Sequence, residues 1–292
     1  MADDNNSDYI IYAILSAITF VILIILLILI CITQKNTLNK FFLIILCISE
    51  IFNCIPKFIQ ILRRNNYDND FLCDSQVVFS LISDIGTLTT TTLMSVKACD
   101  DSLNNYNCFK QTKNKTILII INIVFPLLFF FFIFNDKRDK EKQCWFIRNS
   151  MENIIIYVIF WILIIINFAF LYQVMKHLCQ LKTKYQEFEK DLLEEEDLSN
   201  QTQKLQSERI AEKLVDNYIY SFTIPTIWIF FTLSRNFLNK FETLMTIHMI
   251  VSSLRGIIYA FIYTINKIRI KCKEKSSDKN KNINSTNESI KY

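Results

Sequence analysis

Residues 154–171 read IIIYVIFWILIIINFAFL, eighteen consecutive positions with no charged residue and a single amide, Asn167. A helix rises about 1.5 Å per residue, so such a run covers roughly 27 Å, close to the ~30 Å hydrocarbon core of a bilayer. Two further runs match it, FVILIILLILI at 20–30 and ILIIINIVFPLLFFFFIF at 117–134. Working outward from these, the same ruler marks seven spans, at about 9–33, 39–62, 71–97, 116–134, 152–175, 214–233 and 241–266. The third, sixth and seventh carry more polar residues, as expected of helices that line a bundle interior.

Composition agrees with this class. Of 292 residues, 51% are hydrophobic and fall in long blocks, with Gly 2 and Pro 3. Lipid offers no partner to backbone polar groups, so a spanning chain closes its hydrogen bonds within helices. The expected fold is an all-α membrane protein, a seven-transmembrane helix bundle. It divides into a short N-terminus (1–8), the bundle (9–268) with one long loop (176–213), and a basic, polar tail (269–292) expected to be disordered.

Loop charge sets the expected orientation. Twenty Lys and Arg fall on the side shared with the C-terminus and nine on the opposite side, while Lys57, Lys97 and Arg255 lie within spans. Basic residues near membrane ends stay cytosolic, which puts the N-terminus outside and the C-terminus in the cytosol. The first span is too long for a cleavable leader and lacks a basic leading region, so it is expected to act as an uncleaved anchor. The net charge of +4 is read as this topogenic excess and not as nucleic-acid binding. Asn5-Asn6-Ser7 forms a glycosylation sequon close to the membrane. The cluster from Lys267 to Lys275 is placed to attract anionic inner-leaflet lipid, and Cys272 is a palmitoylation candidate.

In this topology Cys31, Cys99, Cys108, Cys179 and Cys272 are cytosolic or at that membrane edge, where thiols stay reduced. Cys47 and Cys54 are inside the second span. Only Cys73 and Cys144 fall on the outer side, and a disulfide between them is favoured over two free thiols.

Three charges sit near mid-membrane: Glu50, Asp84 and Arg255. A charge at the bilayer centre costs roughly 2.5–3.5 kcal/mol on insertion scales, so the three are expected to face inward and pair, with Asn53 nearby. Such a cluster serves either as a switch or ion site or as a structural pair that fixes helix register. Seven residues further out, about 10 Å along a helix, stand Lys57 and His248, with Gln76 and Ser80 at similar depth. These four are the candidate ligand pocket, although Lys57 has the alternative of snorkelling to the surface. Pro225 is expected to kink the sixth span, with Trp228 beside it as a candidate switch element. From His177 to Leu214 the chain lacks Gly and Pro and reads as helical extensions of the flanking spans. Leu178, Leu181, Tyr185, Phe188 and Leu192 draw one apolar seam along it.

These residues resemble the cyclic-AMP receptor-like group of seven-helix, G-protein-coupled receptors, which are related to secretin-type receptors. Leu72-Cys73-Asp74-Ser75-Gln76 is similar to that group's Leu-Cys-x-x-Gln at the top of helix three. Cys144-Trp145-Phe146 resembles its Cys-Trp-Ile in the second outer loop. Ile224-Pro225, Trp228 and Ser234-Arg235 are similar to its Pro…Trp…Asn-Arg run in helix six. Leu254-Arg255-Gly256-Ile257-Ile258-Tyr259 with Tyr263 resembles its helix-seven stretch. The chain departs from the pattern where no Trp stands near Gly86–Thr90 and where Tyr259 replaces a helix-seven Asn. The resemblance implies a plasma-membrane receptor that senses an extracellular small-molecule or peptide ligand and couples to a cytosolic heterotrimeric G protein. It does not imply cyclic AMP itself.

The rival classes find less support. With His177 and His248 as its only histidines, the chain assembles no zinc set. No Gly-x-Ser-x-Gly turn marks a hydrolase. Arg255 stands where a retinal protein needs a lysine. The chain is therefore expected to be no enzyme and to carry no cofactor. A seven-helix transporter or channel working through Glu50, Asp84 and Arg255 is the alternative, although internal repeats and glycine-broken helices are not evident.

Overall fold

The computed structural model describes residues 5–33, 37–63, 70–103, 138–139, 145–146, 151–191 and 252–265, with single positions at 116, 120, 124, 223, 226, 227, 250, 267 and 268. In chain order the elements are α1 (Asn5–Thr33), α2 (Thr37–Arg63), α3 (Asp70–Leu103), β1 (Arg138–Asp139), β2 (Trp145–Phe146) and α4 (Met151–Asp191). Residues 252–265 form a further helical segment.

Among the described residues, four helices are long and apolar enough to cross a membrane, over Ile10–Thr33, Leu38–Leu62, Asp70–Lys97 and Ile154–His177. This is the make-up of an integral membrane protein. Buried residues form 78% of the crossing stretch of α3, 61% of that of α2 and 28% of those of α1 and α4. Among these four, the polar helix α3 is thus the most buried, and the two most apolar ones are the least buried. On α1 the exposed side chains Ile10, Ile14, Ile18, Val21, Ile25 and Ile28 recur every three or four residues along one face. An apolar face that long would be untenable in water and is solvated by acyl chains in lipid.

Side-chain contacts fix the relative directions of the helices. Across the short connection 34–36, the Lys40 ammonium reaches the Cys31 carbonyl at 2.7 Å, so α1 and α2 form an antiparallel hairpin. Helices α2 and α3 are antiparallel as well: Thr87 meets Glu50, whereas Phe79 meets Phe52 with ring centroids 5.9 Å apart. Helix α4 runs parallel to α3, because Asn167 bonds to Thr91 and Gln173 accepts from Cys99. Segment 252–265 runs parallel to α1, since Thr19 bonds to the Ser253 carbonyl and Thr33 to Tyr263.

Two apolar clusters hold these elements. One joins Val77, Leu81, Ile85 and Leu88 of α3 to Ile156, Phe160 and Ile164 of α4. The other joins Leu23, Leu26 and Ile30 of α1 to Phe42 and Cys47 of α2 and Tyr263.

Several boundaries differ from expectation. Helix α1 starts at Asn5 and α3 continues to Leu103, whereas the run of α4 to Asp191 is the helical extension expected beyond the fifth span. Without Gly or Pro, nothing in the chain stops these helices at the lipid edge, and their last turns are hydrogen-bonded beyond it. The loop before α4 holds an antiparallel ribbon pairing Arg138 with Phe146 and Asp139 with Trp145, outside the spans for which only helix is expected. The expected spans at 116–134 and 214–233 lie outside the described residues, apart from single positions. So do Leu192, the tail and the side chains of Leu178, Leu181, Tyr185 and Phe188.

Candidate functional site: a buried polar seam

Helical spacing collects polar side chains onto facing stripes. On α2, Glu50, Asn53 and Lys57 lie three and four residues apart and share one face. On α3, Gln76, Ser80, Ser83 and Thr87 do the same, with Asp84 adjoining. Ser252, Arg255 and Tyr259 form the third stripe.

Arg255 is the centre of the seam. Its Nε donates to Glu50 Oε2 at 2.8 Å, and Nη1 and Nη2 each lie 3.5 Å from Asp84 Oδ1. Nη2 also donates to Ser83 Oγ at 3.2 Å. Glu50 is held at both oxygens: Thr87 donates to Oε1 at 2.9 Å, and Asn53 donates to Oε2 at 3.4 Å. The same Asn53 amide donates to the Ser252 carbonyl at 3.3 Å. Arg255 and Glu50 are 2% and 1% exposed, so the pair is sealed from solvent. Removing an ion pair from water carries a desolvation penalty of several kcal/mol per ion, offset only when further hydrogen bonds satisfy the remaining donors and lone pairs. Ser83, Thr87 and Asn53 supply those bonds. Two carboxylates still share one guanidinium, and Asp84 has the longer contacts.

The chain's two glycines flank this centre. A Cβ on Gly86 would stand 2.6 Å from Ser49 Oγ, and one on Gly256 would stand 2.6 Å from Thr19 Cγ2 and 2.9 Å from Leu23 Cδ1. Each glycine lets two helices approach closely beside a charged residue. Gly86 brings α3 onto α2 near Glu50, and Gly256 brings segment 252–265 onto α1 next to Arg255. Small residues at helix crossings serve the same end in membranes generally.

Towards the Cys73 end of the bundle the seam changes character. The Lys57 ammonium is buried, does not snorkel, and has no hydrogen-bond partner. Gln76 is 6% exposed, and its carbonyl oxygen is also unpartnered. Ser80 is half-buried on the same stripe. Pro56 precedes Lys57 inside α2 and leaves the Phe52 carbonyl without its helical donor. Towards the other end, Tyr259 is buried with an unpartnered hydroxyl. Beside it a cavity of ≈ 10 Å³, lined by Leu26, Ile30, Leu43, Leu46, Cys47 and Tyr263 among others, is large enough for about one water and for no ligand.

A second polar junction ties α3 to α4. Asn167 is buried, accepts a short hydrogen bond from Ser95 and donates to Thr91 at 3.4 Å. Near the Leu103 end of α3, beyond its crossing stretch, burial followed by the neighbouring Asp100 carboxylate pushes the Cys99 thiol above its ordinary range. Cys73 is buried at the start of α3 and is disulfide-bonded, whereas Cys31, Cys47, Cys54, Cys99 and Cys179 are free thiols.

The structure therefore brings Glu50, Asp84 and Arg255 together and places Lys57, Gln76 and Ser80 along the same seam. Cys144, His248, Pro225 and Trp228 lie outside the described residues. Ser83, Thr87 and the two glycines are site residues that sequence reasoning did not single out. The signal available for them was helical spacing from Asp84 and Arg255 and the rarity of glycine. Among the described residues no group of three His, Cys, Asp or Glu is placed to hold a metal ion. Compared with known proteins, the chain matches no family model and no curated relative.

Proposed function

We propose that this chain is a seven-helix receptor of the plasma membrane, similar to the cyclic-AMP receptor-like group. Its N-terminus lies outside and its C-terminus in the cytosol, and it couples an extracellular ligand to a heterotrimeric G protein. The observation that carries the reading is the sealed Arg255–Glu50–Asp84 tie. It locks α2, α3 and segment 252–265 at mid-membrane, where a change in helix arrangement would be felt at both ends of the bundle. A ligand acts on such an element by favouring one of two arrangements, in proportion to its differential affinity.

Helix direction supports the span count. Parallel helices α3 and α4 need an odd number of return crossings between them, and the apolar run 117–134 lies there. Helix α4 and segment 252–265 also run in one sense, through α3, α2 and α1, and the run 214–233 lies between them. Cysteine placement supports the staple. With five cysteines free, the candidates to bond Cys73 are Cys108, Cys144 and Cys272. Leu103, the last described residue before Cys108, stands about 45 Å from Cys73 at 1.5 Å per residue along α3, and Cys272 follows the end of segment 252–265 that lies on that same side. Cys144 is flanked by the ribbon β1–β2 in the loop expected outside. The continuation of α4 to Asp191 provides a helical arm for a G-protein subunit.

The decisive experiment is association of the purified chain with a Gα subunit in the absence and presence of GTPγS. Association that guanine nucleotide dissolves supports the receptor. Flux of a solute through liposomes that hold the chain, without such association, supports the transporter or channel reading, which the two-to-one ratio of carboxylate to guanidinium favours.

A further inference from the structure

We infer that the outer end of the seam, at Lys57 and Gln76, binds a small organic anion that also carries a hydroxyl or N–H donor. The inference rests on the outward-facing pocket of the receptor reading and names its ligand class.

The register of α2 against α3 brings the two residues to one level. Glu50 meets Thr87, and Phe52 meets Phe79, so the antiparallel pairing carries Lys57 opposite the stretch from Gln76 to Ser80. Helical spacing brings them to one side. Lys57 shares its face with Glu50 and Asn53, and Gln76 shares its face with Ser83 and Thr87. Those four partners all bond across the seam, Asn53 through the Ser252 carbonyl, so Lys57 and Gln76 continue the same interface.

Their chemistry is complementary to one kind of molecule. A buried ammonium without a counter-ion is among the most costly groups a protein holds, and a buried amide oxygen without a donor is costly as well. Arg255 engages Glu50 and Asp84 about two turns deeper, which leaves Lys57 with those carboxylates as distant counter-charges and with no hydrogen-bond partner of its own. An anion meets the ammonium with a charge-assisted bond, and a hydroxyl or N–H beside the charge donates to Gln76 Oε1. A neutral ligand satisfies one group and strands the other. A cation is repelled by Lys57.

The test is thermal unfolding of the full-length chain in nanodiscs with three probes that isolate charge from donor: lactate, propionate and lactamide. Stabilisation in the order lactate, then propionate, with lactamide ineffective, is the expected result. Lys57→Met should weaken lactate binding about 10- to 100-fold, Lys57→Arg should retain most of it, and Gln76→Leu should erase the preference for lactate over propionate. No stabilisation of the wild-type chain by either anion overturns the inference. So does a Lys57→Met chain that responds to anions as the wild type does. Anion indifference together with an unstable Lys57→Met chain would assign Lys57 as a distant counter-charge to Glu50 and Asp84. Anion binding without Gα association sinks the receptor reading and leaves this one standing. Gα coupling with anion indifference does the reverse.

Discussion

Arg255 donates through Nε to Glu50 at 2.8 Å, while its two terminal nitrogens stand 3.5 Å from a single oxygen of Asp84. The guanidinium is shared unequally: Glu50 has the short bond and Asp84 the electrostatic remainder. That inequality ranks the effects of substitution.

Arg255→Met leaves two buried carboxylates without their guanidinium, whereas Glu50→Gln leaves Arg255 with Asp84. Breaking a buried pair from the uncompensated side costs about 3–5 kcal/mol, and loss of one charged hydrogen bond costs about 1.5–3 kcal/mol. Thermal unfolding in detergent should therefore place Arg255→Met well below Glu50→Gln, and basal signalling should shift in both. Equal midpoints would mean that the remaining Arg255–Asp84 pair contributes little once Glu50 is neutral.

The two glycines should respond differently to a methyl group. Gly86→Ala meets a serine hydroxyl that can rotate, so the cost should be small. Gly256→Ala meets Thr19, whose hydroxyl is engaged with the Ser253 carbonyl, and Leu23 as well. Overpacking of this kind costs about 1–3 kcal/mol. Thr19→Ser removes the closest methyl and should recover part of the loss in the double variant, measured by the same unfolding midpoints.

Asn167→Ala removes one polar link between α4 and α3 but leaves few groups stranded. Thr91 also donates to the Thr87 and Leu88 carbonyls, and Ser95 donates to the Thr91 carbonyl. Interhelical hydrogen bonds in membranes average about 0.6 kcal/mol. The expected change is about that size, and a loss several times larger would show that Asn167 positions α4 rather than only bonding to it.

Thiol labelling separates burial from orientation. Cys179 is exposed and Cys99 is 2% exposed with its thiol held above the ordinary range by burial and Asp100. A raised thiol affinity for protons means less thiolate at any given pH, so Cys99 should label more slowly and gain speed only as pH rises past the usual thiol range. In single-cysteine variants a membrane-impermeant maleimide should reach Cys179 only after the cell is opened. Labelling of intact cells at Cys179 would reverse the proposed topology.

Cys73→Ser and Cys144→Ser should each release one titratable thiol from the partner and lower stability by about 2–4 kcal/mol, with the double variant no worse than either single. Unequal singles would show that Cys73 bonds elsewhere.

Much of the membrane architecture is legible in the order of residues. Runs such as 20–30 and 154–171 exceed what a soluble core needs, and the helices found there follow from hydropathy alone. The three mid-membrane charges are legible too, because a charge in lipid is too costly to face outward. The hydroxyls of Ser83 and Thr87 are not. A threonine in an apolar helix commonly bonds back to its own turn, as Thr90 does to Gly86 here. Only helix rotation tells which hydroxyl turns outward to a neighbour. The same holds for Lys57, where snorkelling and burial give identical sequence patterns.

What the sequence by itself determined is which stretches can cross lipid and which charges must find partners, because transfer energies add along the chain. Tertiary structure alone decided that Glu50 takes the short bond from Arg255 and that Gly86 and Gly256 set the spacing. It likewise left Lys57 and Gln76 unpartnered at one end of the seam. Those outcomes depend on helix rotation and approach to within a few tenths of an ångström, and a one-dimensional pattern carries no information at that scale.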